Sequence, residues 1–130
     1  MLKGRKFKGM MVMLLSVCLV FVFSSSVFAA QTNTGTYSFT GKSEAIITYT
    51  NITNPSINVT TTPTSGTSDL IVQLQQNING TWTNAVSSWN SGTTTDTCAL
   101  NYNGTGTFRI VFTTNNNTST LQGSYSITKW

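Results

Sequence analysis

From Gly35 to the C-terminus, apolar residues recur at every second position in short runs cut by Asn, Gly and Pro. A strand turns successive side chains to opposite faces, so this period of two is the pattern of half-buried β-strands. Asp69 to Gln76 shows it most clearly: Leu70, Val72 and Leu74 share one face, and Gln73 and Gln75 lie on the other. Before it come Gly35 to Thr40, with Tyr37 and Phe39 on one face, then Glu44 to Asn51 and Ser56 to Thr62, divided by Asn54-Pro55 and followed by a turn from Pro63 to Gly66. After it, Asn79-Gly80 is a strong hairpin signal, because both residues tolerate the positive φ of a type I′ turn. Thr81 to Trp89, Thr93 to Tyr102, Thr107 to Thr113 and Gly123 to Trp130 complete the series, with a polar loop at Asn115 to Ser119. Parity with Val86 assigns Trp82 to the core, whereas Trp89 precedes a turn and Trp130 ends the chain, which favours partial exposure of both. Eight short strands at roughly 8–12-residue spacing, with no helical period, predict an all-β antiparallel sandwich of jelly-roll type.

The first thirty residues have a different character. Lys3, Arg5, Lys6 and Lys8 precede an apolar run from Met10 to Phe23, and Val27-Phe28-Ala29-Ala30 follows three serines. A charged segment, a short apolar core and small residues at a cleavage point are the marks of a secretory signal. Those fourteen residues, apolar apart from Ser16, span about 21 Å in a helix, short of a hydrocarbon core of about 30 Å. We therefore expect cleavage after Ala29, leaving a single β-sandwich domain of residues 30–130 that is secreted and has no membrane contact.

That expectation changes the meaning of the charge. The whole chain carries a formal +4, but four of its cations lie in the leader. The remainder sets Lys42, Arg109 and Lys129 against Glu44, Asp69 and Asp96 and is neutral. No basic cluster with interleaved aromatics is left, which argues against nucleic acid as a partner. Thr, Asn and Ser supply close to half of residues 30–130. Thr suits a pleated surface and its hydroxyl suits water.

Chemistry has little to work with. The chain has no His, which excludes Ser-His-Asp and Cys-His catalysis and most zinc sites. Three carboxylates remain in the domain, so a glycosidase pair would need two of them in a cleft that about a hundred residues hardly provide. We expect no enzyme and no cofactor. Asp69 and Asp96 are weak calcium candidates, since calcium takes six to eight oxygens and usually several carboxylates. Cys98 shares parity with Leu100 and Tyr102 and is expected to be buried and inert rather than bridged to a partner. Exposed Trp and Tyr rings stack on sugar faces while Asn amides take hydroxyls, which makes Trp89, Trp130 and Tyr102 the candidate ligand-binding residues.

The block Ser68-Asp69-Leu70-Ile71-Val72-Gln73-Leu74, then Asn79-Gly80-Thr81-Trp82, then Gly106-Thr107-Phe108-Arg109-Ile110-Val111 and Gly123-Ser124-Tyr125-Ser126-Ile127 resembles the bacterial pre-peptidase C-terminal domain family. The similarity runs from Ser68 to Ile127 and consists mostly of strand patterning. It implies a jelly-roll-like β-sandwich of the kind appended to secreted enzymes, serving targeting or binding without catalysis. The scarcity of acids departs from the calcium-supporting residues common in such sandwiches.

The sequence thus predicts a secreted, non-catalytic β-sandwich for extracellular binding or adhesion, to a cell-wall or matrix polysaccharide or to another protein. An alternative is a self-assembling extracellular structural protein, because few charges guard its edge strands against pairing with another copy. A small secreted toxin or bacteriocin is the third reading.

Overall fold

The computed structural model describes residues 29–41 and 43–130. The expected signal segment lies, but for its last residue, outside the described residues. Eight strands follow in order: β1 (Gln31–Thr40), β2 (Glu44–Thr53), β3 (Ser56–Ser65), β4 (Leu70–Ile78), β5 (Thr81–Asn90), β6 (Asp96–Asn101), β7 (Thr105–Thr113) and β8 (Thr120–Lys129). They form two four-stranded antiparallel sheets, ordered β1-β8-β3-β6 and β2-β7-β4-β5. Strand β4 pairs with β5, β3 with β6, β2 with β7 and β1 with β8, so the chain is one long hairpin folded back about its centre and rolled up. That winding is the jelly roll expected from the sequence.

The centre of the long hairpin is the Asn79-Gly80 turn. Both residues have positive φ, 53° and 86°, as a type I′ turn requires. The apolar alternation then meets between the sheets. Ile57, Val59, Leu70, Val72, Leu74, Leu100, Phe108, Ile110, Phe112, Leu121 and Ile127 are buried there. Tyr37 and Tyr125 both meet Phe112 edge-on, at 5.4 and 5.8 Å between ring centres, and so tie one sheet to the other.

Two glycines were misleading boundaries. The sequence suggests that strands begin at Gly35 and Gly123, but β1 starts at Gln31 and β8 at Thr120. Each glycine sits inside its strand, opposite an aromatic partner: Gly35 pairs with Tyr125, and Gly123 with Tyr37. A Cβ at either position would run into the partner's ring. These are places where a ring lies over backbone, a known way of covering strand glycines.

The larger correction concerns Trp82. On β4 and β5, Leu74 pairs with Val86 but Gln75 pairs with Asn84, so Ala85 is an extra residue in the ladder. A bulge of one residue exchanges the two faces of everything beyond it. Trp82 therefore leaves the core face that its parity with Val86 implied. It lies half-buried on the outer face of its sheet, under the Arg109 guanidinium at 4.4 Å, while Arg109 Nε donates to Gln75 Oε1 at 2.8 Å.

One polar side chain joins the sheets from within. Asn90, at the end of β5, is buried, and its amide group donates to the Val59 carbonyl, the Thr61 hydroxyl and the Asp96 carbonyl at 3.1, 2.9 and 3.2 Å. Cys98 is a buried free thiol, and burial first of all pushes its pKa from 9.0 to about 11. A thiol so placed is a poor nucleophile.

Candidate functional site

The end of the sandwich that carries the β3–β4 and β7–β8 loops holds a depression of about 560 Å³. Ser68, Asp69, Trp89 and the segment Thr114 to Thr118 line it. Trp89 is the apolar wall. It lies on β5 opposite Ile71 and is 54 % exposed, although a ring of that size is normally covered when a sandwich offers it room. Strand parity explains its direction: Ser88 and Asn90 pair with the core residues Val72 and Leu70, so Trp89 between them points outward.

The polar wall is held in place by its own hydrogen bonds. Thr114, buried, shares a hydroxyl bond with Ser68 at 3.0 Å, which fixes one loop against the other. Its oxygen also accepts from the Asn116 N–H at 3.2 Å. Asn116 Oδ1 in turn accepts from the Thr118 N–H and hydroxyl at 3.0 and 2.9 Å, an Asx turn that closes the loop on itself. The far end is tied to the β1–β2 connection, where the Gly41 N–H donates to the Ser119 carbonyl at 3.1 Å. Gly41 has φ of 54°, and a Cβ there would meet the Asn117 backbone. Asn115 and Asn117 stay exposed beside the Trp89 ring's depression, as does Asp69. The arrangement is one apolar face, one carboxylate and several amides and hydroxyls on a pre-formed frame.

The other candidate residues go elsewhere. Trp130 is 52 % exposed, but its N–H donates to the Ser56 carbonyl at the opposite end of the sandwich. Tyr102 lies near that same end, where its N–H donates to the Pro55 carbonyl. Its ring packs against Phe108 at 5.7 Å and its hydroxyl donates to Gln76 at 3.3 Å, so the ring faces the core edge. Trp89 and Trp130 thus form no common platform. Asp96 is occupied by backbone: its carboxylate accepts from the N–H groups of Ser91 and Thr97 at 3.0 and 2.8 Å. Asp69 and Asp96 are not gathered with a third acidic, Cys or His side chain among the described residues. The sequence marks Asn115 to Ser119 as a polar loop and nothing more. Its run of three asparagines carried no period and no spacing that would assign it to a site.

No protein-family model matches the chain, and no curated protein matches it. Solved structures do. The crystal structure of PirA aligns with a TM-score of 0.53 and 20 % identity, covering 75 % of this chain and 93 % of PirA. A structure of the Bacillus endospore appendages, a family of disulfide-linked pili, aligns at 0.50 with 11 % identity over 78 % of this chain and 84 % of its own. The Yersinia pseudotuberculosis-derived mitogen aligns at 0.50 with 15 % identity, over 78 % and 86 %. What these proteins have in common with this chain is the fold, an all-β architecture of antiparallel strands in two sheets.

Proposed function

We propose that the chain is a secreted, non-catalytic binding module and that its ligand is an uncharged glycan of a cell wall or extracellular matrix, taken at the Trp89 depression. The exposure of Trp89 beside a hydrogen-bonded Asn- and Thr-rich loop carries this reading. A pyranose presents an apolar C–H face and a rim of hydroxyls. The first stacks on an indole, and the second suits a carboxylate that accepts and amide and hydroxyl groups that both donate and accept. Among the described residues Asp69 is the only charged side chain in the lining, which disfavours an anionic polymer. The leader-like first residues support export, and the pilus and mitogen relatives in fold are compatible with work outside the cell.

The test is retention on insoluble chitin, cellulose and isolated cell-wall peptidoglycan. Trp89→Ala should weaken retention on the bound polymer by about tenfold, equivalent to about 1.4 kcal/mol, with an unchanged melting temperature. Trp130→Ala should leave it intact, because that ring lies at the other end. Equal retention of the wild type and Trp89→Ala would overturn the reading, as would retention of neither on any of the three polymers.

A further inference from the structure

Four strands stand at sheet edges: β1 and β6 in one sheet, β2 and β5 in the other. An edge strand presents unpaired N–H and C=O groups, and soluble proteins blunt such edges by shortness, charge, proline or bulges. Three of the four are blunted. Strand β6 has six residues and begins with Asp96. Strand β2 begins with Glu44, and its ladder is broken twice, between Ala45 and Ile47 and between Tyr49 and Ile52. Strand β5 carries the bulge at Ala85. Strand β1 has none of these devices. Its ten residues, Gln31 to Thr40, contain no charge and no proline, and pair with β8 in an unbroken register. Among the described residues its other side has no strand partner.

We infer that β1 is an assembly surface at which a second copy of this chain pairs, antiparallel, β1 against β1. The strand is self-complementary in two ways. It is uncharged, so two copies approach without repulsion. Its outer face reads Thr32, Thr34, Thr36, Ser38 and Thr40, all exposed. A two-fold axis through the middle of the strand therefore sets hydroxyl residues against hydroxyl residues. The chain already uses that pairing within itself: Thr32 with Thr128, Thr40 with Thr120, Thr53 with Thr105 and Thr60 with Thr97 bond across neighbouring strands at 3.1, 2.8, 2.9 and 2.8 Å. The inner face, Asn33, Gly35, Tyr37 and Phe39, meets the same set in the partner, which continues both cores across the junction. The product is an eight-stranded sheet with an isologous interface. Because the paired strands run in opposite directions, the loop-bearing ends of the two copies point apart. On the glycan reading above, on which this consequence alone rests, the pair carries its two depressions at opposite ends and links two polymer chains.

Sedimentation over a range of concentrations tests the pairing without reference to any ligand. The protein should sediment at twice the monomer mass at high concentration and dissociate on dilution. Thr34→Lys combined with Thr36→Lys places like charges opposite each other on the exposed face and should give the monomer mass at all concentrations, with a cooperative melt retained. Ala99→Lys, on the β6 edge, should leave the dimer intact. A second measurement does not depend on any variant folding: amide exchange of β1 in the wild type should slow as concentration rises. A strictly monomeric wild type overturns the inference, and that outcome leaves a strand from this chain's own N-terminus or from another protein as the occupant of β1. An undiminished mass for the double Lys variant, or exchange in β1 that ignores concentration, overturns it as well.

Discussion

Individual residues show how position decides chemistry in a chain with few reactive groups. Cys98 is the single thiol of the described residues, and its parity with Leu100 suffices to place it inside. Burial makes the thiolate unfavourable in the folded state, and Tyr37 and Tyr49 have their phenol pKa values raised from 10.0 for the same leading reason. The sign of the linkage follows. With a folded pKa above the unfolded one, each group's contribution is fully present below the unfolded pKa and is lost as pH rises through the folded pKa. For Cys98 that window runs from 9.0 to about 11. Urea midpoints should therefore be flat through neutral pH on account of these groups and fall above about pH 9. Cys98→Ala should remove the earliest part of that fall. Iodoacetamide should label the native protein slowly at pH 8 and the urea-unfolded chain fast. Trp82 teaches the opposite lesson. Its type and parity both said core, yet one inserted alanine three positions later turned it to the outer face and into a stack with Arg109.

The strands themselves are legible because alternation and turn chemistry are local. Each of the eight overlaps a run read from the sequence, with the faces of β5 exchanged beyond its bulge, and the chemistry of Asn79-Gly80 specifies its turn. That turn makes a direct prediction. Gly80 has φ of 86° with open space around it, so Gly80→Ala meets no clash and suffers only from the left-handed backbone. It should destabilise by about 1 kcal/mol, read as a lower urea midpoint at constant slope. Boundaries are less legible, for reasons that lie on neighbouring strands. Gly35 and Gly123 look like punctuation until Tyr125 and Tyr37 are seen lying over them. At the other end of β5, Thr93 and Thr94 read as strand, but their N–H groups donate to the Ser91 hydroxyl at 3.2 Å and bend the chain before β6 begins. The abundance of Thr also finds its reason at this scale, in cross-strand hydroxyl pairs on exposed faces, each worth a fraction of a kcal/mol.

In the whole molecule, strand pairing is long-range and the last strand is structurally central. Strand β8 lies between β1 and β3, so it completes one sheet from the far end of the sequence. Removal of residues 120–130 would strip β1 of its one strand neighbour among the described residues and take Leu121 and Ile127 out of the core. The shortened chain should show no cooperative thermal transition and should bind a hydrophobic dye, whereas the full chain should melt in one step. Topology of this kind also makes folding slow relative to helical proteins of the same size, because distant segments must meet before any pair rewards the closure. The candidate site belongs to the same scale. Ser68 and Asp69 from one loop, Trp89 from a strand and Thr114 to Thr118 from another loop are brought together by the rolling of the hairpin.

The sequence by itself determined the class of structure. Alternation, turn residues and the lack of helical period prescribe eight antiparallel strands, and the lack of His and the scarcity of acids narrow the chemistry before any fold is known. Those are properties of neighbours along the chain. The tertiary structure decided which faces and edges meet water. It brought Trp89 beside an asparagine loop some twenty-five residues away, separated it from Trp130, turned Trp82 around a bulge, and left β1 as the one unguarded edge among the described strands. A bulge is a mismatch between two strands, and an edge is the absence of a neighbour. Both are relations between distant segments, so no local pattern in the sequence encodes them.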